Sequence, residues 1–157
     1  MPCLACLLLT LLTAAPSGRE GLALGIILGE PTGISIKAWV DDKTAVDGAA
    51  AWSFSGYDSF QLHADYLIHY FDVMEADDLR GALPVYVGIG GRIRLREEHR
   101  GDDDEDVTLG VRLPFGMTYI PDSAPVDVFV EFVPILDVVP DTDFDLAAGF
   151  GARFFFR

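Results

Sequence analysis

From Gly21 onward the chain alternates between apolar residues and polar or small ones, and only short turn-rich stretches interrupt the alternation. Two is the side-chain period of a β-strand, so this pattern commits the chain to an all-β fold. The apolar parity divides into eight segments: 22–28, 34–40, 46–54, 60–70, 83–95, 107–119, 126–132 and 144–156. No apolar-parity position in them is charged. Pro31, Asp41, Asp42, Gly56, Pro121 and Asp122 mark turns between segments, and longer connections are expected over 72–82, 97–106 and 135–143.

Eight antiparallel strands fit either of two barrels, which place the two faces oppositely. A soluble lipocalin-like barrel buries the apolar face around a ligand. A transmembrane barrel turns it outward. An antiparallel sandwich would alternate as well. Three observations favour an eight-stranded up-and-down transmembrane barrel.

Gly88, Gly90, Gly110, Gly116, Gly149 and Gly151 fall on the polar parity. Glycine weakens a solvated strand but suits a crowded lumen. The same parity carries Lys37, Arg92, Arg94, Arg112 and Arg153 against Asp47, Asp65, Asp127, Glu131 and Asp145. With His63, these residues are the expected lumen charge network. Its charges balance, as buried charges must. Finally, aromatics fall at both edges of the apolar band if the chain starts in the periplasm. Trp52, Phe54, Phe60, Phe132 and Phe144 would form the outer belt, and Tyr70, Tyr119, Phe154 and Phe156 the inner one.

A length of 157 residues suits one domain, and the net charge of −14 argues against a nucleic-acid partner. Residues 4–15 form an apolar run too short to cross a bilayer as a helix. The run fits the core of a signal peptide over 1–18, which leaves the barrel to 19–157. A buried N-terminal helix is the alternative. Cys3 and Cys6 both lie in that leader, so the remainder has no cysteine. Cys6 comes too early for a lipidation site.

The stretch after Gly21 resembles the small bacterial outer-membrane barrels of the outer-membrane-protein-A-like type. More narrowly, Leu28-Gly29-Glu30-Pro31-Thr32-Gly33, Gly88-Ile89-Gly90-Gly91-Arg92, His63-Ala64-Asp65-Tyr66 and Ala124-Pro125-Val126-Asp127 look like those of a family of uncharacterised barrels of this size. The resemblance implies export to a Gram-negative outer membrane, outer-membrane lipid as surroundings, and insertion by the barrel assembly machinery. That machinery reads an aromatic-ended last strand. Phe154 and Phe156 fit that pattern, whereas Arg157 departs from it.

Candidate chemistry is sparse. His63, Asp65 and His69 share the polar face of one segment, about 7 Å apart in steps of two. They could hold a metal or form an acid–base site, but a hydrogen-bonded lumen network with Arg92, Arg112 and Tyr86 is the favoured reading. Ser53 on the neighbouring segment suggests a Ser-His-Asp arrangement only weakly. Asp102, Asp103, Asp104, Glu105 and Asp106 resemble the start of a calcium loop. Val107 and Leu113 then stand where that motif needs Gly and Glu. The segment reads as a solvated acidic loop with weak divalent-cation binding at most. Gly88-Ile89-Gly90-Gly91 lies inside a strand and reads as packing space. A lipid deacylase needs Ser and His on the lipid side, and the apolar parity has neither. An acyltransferase would need an apolar hole, yet Trp39, Phe129 and Phe155 are spread among charges; His99 is a lone loop candidate. A diffusion pore is disfavoured because side chains fill an eight-stranded lumen. The expectation is a non-enzymatic outer-membrane barrel with no catalytic residue, metal or cofactor. A lipid-modifying enzyme and a soluble lipocalin-like binding protein are the alternatives.

Overall fold

The computed structural model describes residues 21–53, 59–74, 78–96 and 106–156. The leader over 1–18, Cys3, Cys6, Phe54, His99, acidic residues 102–105 and Arg157 lie outside them. Ten strands form: β1 (Leu22–Glu30), β2 (Thr32–Trp39), β3 (Thr44–Ser53), β4 (Ser59–Tyr70), β5 (Gly81–Ala82), β6 (Val85–Arg96), β7 (Asp106–Arg112), β8 (Phe115–Pro121), β9 (Val126–Val139) and β10 (Asp143–Phe156). They make one sheet, and antiparallel pairing of β10 with both β9 and β1 closes it on itself.

Proline accounts for the difference between ten strands and eight staves. β5 and β6 share one register against β8, with Ala82 opposite Ile120 and Val85 opposite Met117. Pro84 separates them. β7 and β8 likewise keep one register against β6 across Pro114. Proline has no N–H to give the ladder, yet both carbonyls still accept: Thr118 N–H donates to Pro84 O and Gly88 N–H to Pro114 O. The barrel therefore has eight staves, and the fifth begins at Gly81.

The registers also set the width. The path of Cα partners runs from Glu30 through Ala148, Phe132, Phe115, Val87, Ile68 and Thr44. Through the β2 register it returns to β1 ten positions below its start, 30 against 20. A stagger of ten over eight staves means a tilt of about 40°. A barrel this narrow has room inside for side chains and little else.

The apolar parity faces outward. Ile26, Ile34, Leu62, Ile89, Val130, Phe150 and their neighbours are exposed along the wall, while Lys37, Asp47, Asp65, Arg92, Arg112, Asp127, Glu131 and Arg153 are buried inside. This inverts a soluble calyx and rules out the lipocalin-like arrangement. Glycine makes room for the larger lumen groups. A Cβ on Gly116 would overlap the Tyr86 ring, and one on Gly151 would lie 2.6 Å from the Phe129 ring.

Two connections are shorter than the sequence pattern suggests. Gly81 and Ala82 are strand, and β9 runs on to Val139, so 135–139 belongs to the wall. The alternation fades there because Val133 and Ile135 face inward yet are apolar. Extending β9 has two consequences. Phe132 sits at mid-height, between Phe115 and Ala148, and so does not belong to an outer belt. Asp137 becomes a buried lumen residue.

The two ends of the barrel differ. The terminal end carries Leu22 and Phe156 and the tight β2–β3 turn. In that turn the Lys43 and Thr44 N–H groups donate to Asp41 Oδ1, both at 2.8 Å. The Lys43 N–H, first, holds the Asp41 carboxyl below its ordinary pKa. The opposite, loop end is uneven. β9 and β10 have 14 residues each, whereas β1 has 9 and β2 has 8.

Gly116→Ala should displace the Tyr86 ring and lower stability by about 1–3 kcal/mol in urea unfolding from detergent micelles. Gly91→Ala is the contrast: a Cβ there meets nothing nearer than Gly110 O at 3.6 Å. It should stay within about 0.5 kcal/mol of the parent.

Candidate functional site

The lumen charges sort into three groups along the barrel. Nearest the terminal end, Arg153 Nη2 lies 2.9 Å from Asp47 Oδ2 and Arg153 Nη1 3.5 Å from Asp127 Oδ2. Its Nε donates to Ser35 Oγ at 2.9 Å, and the guanidinium lies 3.9 Å over the Phe129 ring. Lys37 Nζ reaches Asp127 Oδ2 at 3.4 Å and lies 4.5 Å over the Trp39 ring. It also meets His69 Nε2 at 3.1 Å, while His69 Nδ1 is 3.1 Å from Lys43 O. A tautomer with the proton on Nδ1 satisfies both contacts. One oxygen each of Asp47 and Asp127 meets no donor.

In the middle, Arg112 Nε donates to both oxygens of Asp65, at 3.0 and 3.1 Å. Its Nη2 is 3.8 Å from Glu131 Oε1, and Tyr86 OH donates to Glu131 Oε2 at 3.1 Å. Toward the loop end, Arg92 grips Asp137 through Nε and Nη2 at 3.0 and 2.6 Å. It also reaches Asp145 at 2.9 Å. Arg94 doubles both pairs, at 2.9 Å to Asp137 and 3.5 Å to Asp145. Gln61 accepts from Arg92 at 3.3 Å and meets His63 Nδ1 at 3.3 Å.

Five cations thus face six anions, since Asp137 joins the expected five, and the lumen set sums to −1 (5 − 6). The extra charge is tolerated at the loop end, where the Asp145 side chain is 39% exposed. Sequence parity missed Asp137 only because β9 was expected to stop at Phe132.

His63, Asp65 and His69 do not converge. Each is directed to a different partner: Gln61, Arg112 and Lys37, respectively. Ser53 donates to Glu30 at 2.7 Å, away from both histidines. Among the described residues no group of three or more His, Cys, Asp or Glu side chains could hold a metal ion.

The aromatics behave variously. Trp52 and Phe60 are cross-strand partners near the loop end with ring centroids 5.4 Å apart. Phe144 lies at that end of β10. Tyr70, Tyr119, Phe154 and Phe156 ring the terminal end. Trp39 and Phe155, which the sequence pattern scatters among charges, meet inside that end. With Ala23 and Ala45 they form a buried cluster, and Phe71 and Ile120 pack against it. This apolar cluster packs inside the terminal end, with the Trp39 ring 4.5 Å from Lys37 Nζ.

Arg112→Ala leaves Asp65 and Glu131 buried without their cation and should cost about 3–5 kcal/mol in the same urea assay. Arg92→Ala should cost roughly half as much, because Arg94 still reaches both Asp137 and Asp145. Equal losses, or none, would show that the pairs are not distributed in this way.

No family model matches the chain, and no curated protein does. Solved structures that share its architecture include two bacterial barrels. The N-terminal β-barrel domain of Pseudomonas aeruginosa OprF matches with a TM-score of 0.70 at 14% identity, covering 89% of this chain and 100% of that one. Neisserial surface protein A matches with a TM-score of 0.51 at 12% identity, covering 87% of this chain and 94% of that one. At such identities the likeness concerns the fold alone. The chain has the fold of the small eight-stranded outer-membrane β-barrels.

Proposed function

We propose that the protein is an integral barrel of a Gram-negative outer membrane with a structural or surface-exposed role and no catalytic activity. The observation that carries this reading is the outer wall. Between the two rims its described residues are all uncharged, among them Ile26, Leu62, Ile89, Val130 and Phe150, each 46–57% exposed. So much contiguous apolar surface is unfavourable in water and suited to hydrocarbon. In this reading the chain arrives by signal-peptide export over 1–18, and the barrel assembly machinery folds it into outer-membrane lipid.

The lumen network acts as internal glue. Each ionic group would cost several kcal/mol if buried alone, and closing the barrel brings its partner within reach. The apolar cluster of Trp39 and Phe155 at the terminal end, and a lumen filled by paired side chains, argue against a pore. The acidic sequence Asp102 to Asp106 would take divalent cations weakly.

Cell fractionation tests the location. The protein should stay with the outer-membrane pellet and shift its gel mobility on heating. Recovery in the periplasmic fraction without detergent would overturn the proposal. Two functional assays complete it. The purified barrel in planar bilayers should give no stepwise conductance, and lipid A from cells with and without the gene should have the same mass spectrum. A changed lipid A spectrum would instead support a lipid-modifying enzyme.

A further inference from the structure

A closed barrel has no sheet edge along its wall, but the unequal strand lengths leave one at the loop end. β10 pairs with β1 only up to Ala148, which faces Glu30. Above that level, residues 143–147 of β10 still pair with β9 on one side. On the other side no strand of the described residues covers them.

Which backbone groups point to the open side follows from parity. Phe155 N–H donates to Pro125 O on the β9 side. Odd-numbered N–H groups of β10 therefore face β9, and even-numbered ones face β1. The open edge thus displays the N–H groups of Phe144 and Leu146. Both are occupied by the side chain of the preceding residue: Phe144 N–H donates to Asp143 Oδ1 at 3.0 Å, and Leu146 N–H to Asp145 Oδ1 at 2.9 Å. Asp145 is held in place by its other oxygen, which accepts from Arg92 at 2.9 Å. Phe144, at 67%, is the most exposed large apolar residue of the described chain. An uncapped edge beside it would invite strand addition.

We infer that Asp143 and Asp145 are an edge guard: their carboxylates occupy the two free N–H groups of β10 and bar an extended peptide from adding to the barrel wall. The partner excluded is any extended chain presented from the aqueous side at the loop end. Recognition there would run through main-chain hydrogen bonds, so blocking two donors at alternate positions removes half of the ladder.

A fluorescein-labelled peptide of alternating Thr and Val with a Lys at each end is the probe, read by anisotropy against the barrel folded in detergent micelles. The parent should bind it only weakly. Asp143→Ala combined with Asp145→Ala should bind at least tenfold more tightly. Asp143→Asn with Asp145→Asn keeps an oxygen acceptor at both places and should behave as the parent does. Asp143→Ala alone leaves the Arg92 and Arg94 pairs intact and should bind to an intermediate extent, so the outcome does not depend on the double variant folding well. Equal binding by parent and double alanine variant, tight or weak, overturns the inference, and so does a double asparagine variant that binds as tightly as the alanine one.

Discussion

The ion pairs inside this barrel and the apolar wall around it are two aspects of one constraint. A strand in hydrocarbon must satisfy every backbone N–H and C=O within the sheet, so the sheet has to close. Closure at eight staves with a stagger of ten leaves a tube with no room for bulk water. Most polar side chains on the inner parity are then removed from solvent, and their cost is met by neighbours within the lumen. Arg153 bridges β9 to β3, Arg112 joins β4 and β9, and Arg92 ties β6 to both β9 and β10. None of these contacts is local in sequence. Arg153 and Asp127 are cross-strand partners in the β9–β10 hairpin, but the reach of Arg153 to Asp47 on β3 spans the closure of the sheet, which couples the network to it.

Volume is the second condition. Charged and aromatic side chains fill a narrow tube only where the facing positions are nearly empty. Tyr86 lies over Gly116, and the ring of Phe129 lies over Gly151. The same placement orients chemistry. Because Tyr86 lies flat over a glycine, its hydroxyl reaches Glu131. Because Phe129 lies flat, its face receives the Arg153 guanidinium. The glycine-rich inner parity is therefore the complement of the long ionic side chains.

The outward parity, the eight staves and the burial of Lys37, Asp47, Asp65, Arg92, Arg112, Asp127, Glu131 and Arg153 were legible because each depends on a period of two in which one face is purely apolar and the other is not. Legibility ended where both faces became apolar. Val133 and Ile135 face inward among buried groups, so β9 seemed to end before Asp137, and Phe132 looked like a rim residue although it stands at mid-height. Pro84 and Pro114 gave the opposite difficulty: they split the strands by hydrogen bonding while leaving the period, and hence the sequence reading, intact. A network of His63, Asp65 and His69 with Arg92, Arg112 and Tyr86 was expected, but which group each side chain meets was not legible. The choice of Arg112 for Asp65, or of Lys37 for His69, is set by the stagger, and the stagger comes from turn geometry and cross-strand fit rather than from the alternation.

The unequal staves connect the wall to the lumen. A barrel whose staves all ended level would have no exposed edge and no rim carboxylate with two tasks. Here β10 rises above β1, and Asp145 stands where the open edge meets the top of the ionic network. One of its oxygens caps a backbone donor, and the other accepts from Arg92, which is held in turn by Asp137 on β9. A cap on a free edge would ordinarily be a mobile surface side chain of little energetic weight. Charge-assisted contacts to Arg92 fix its rotamer in advance, so the cap costs less side-chain entropy to keep. The order of the buried pairs is in this way passed on to an edge where the sheet meets water unpaired.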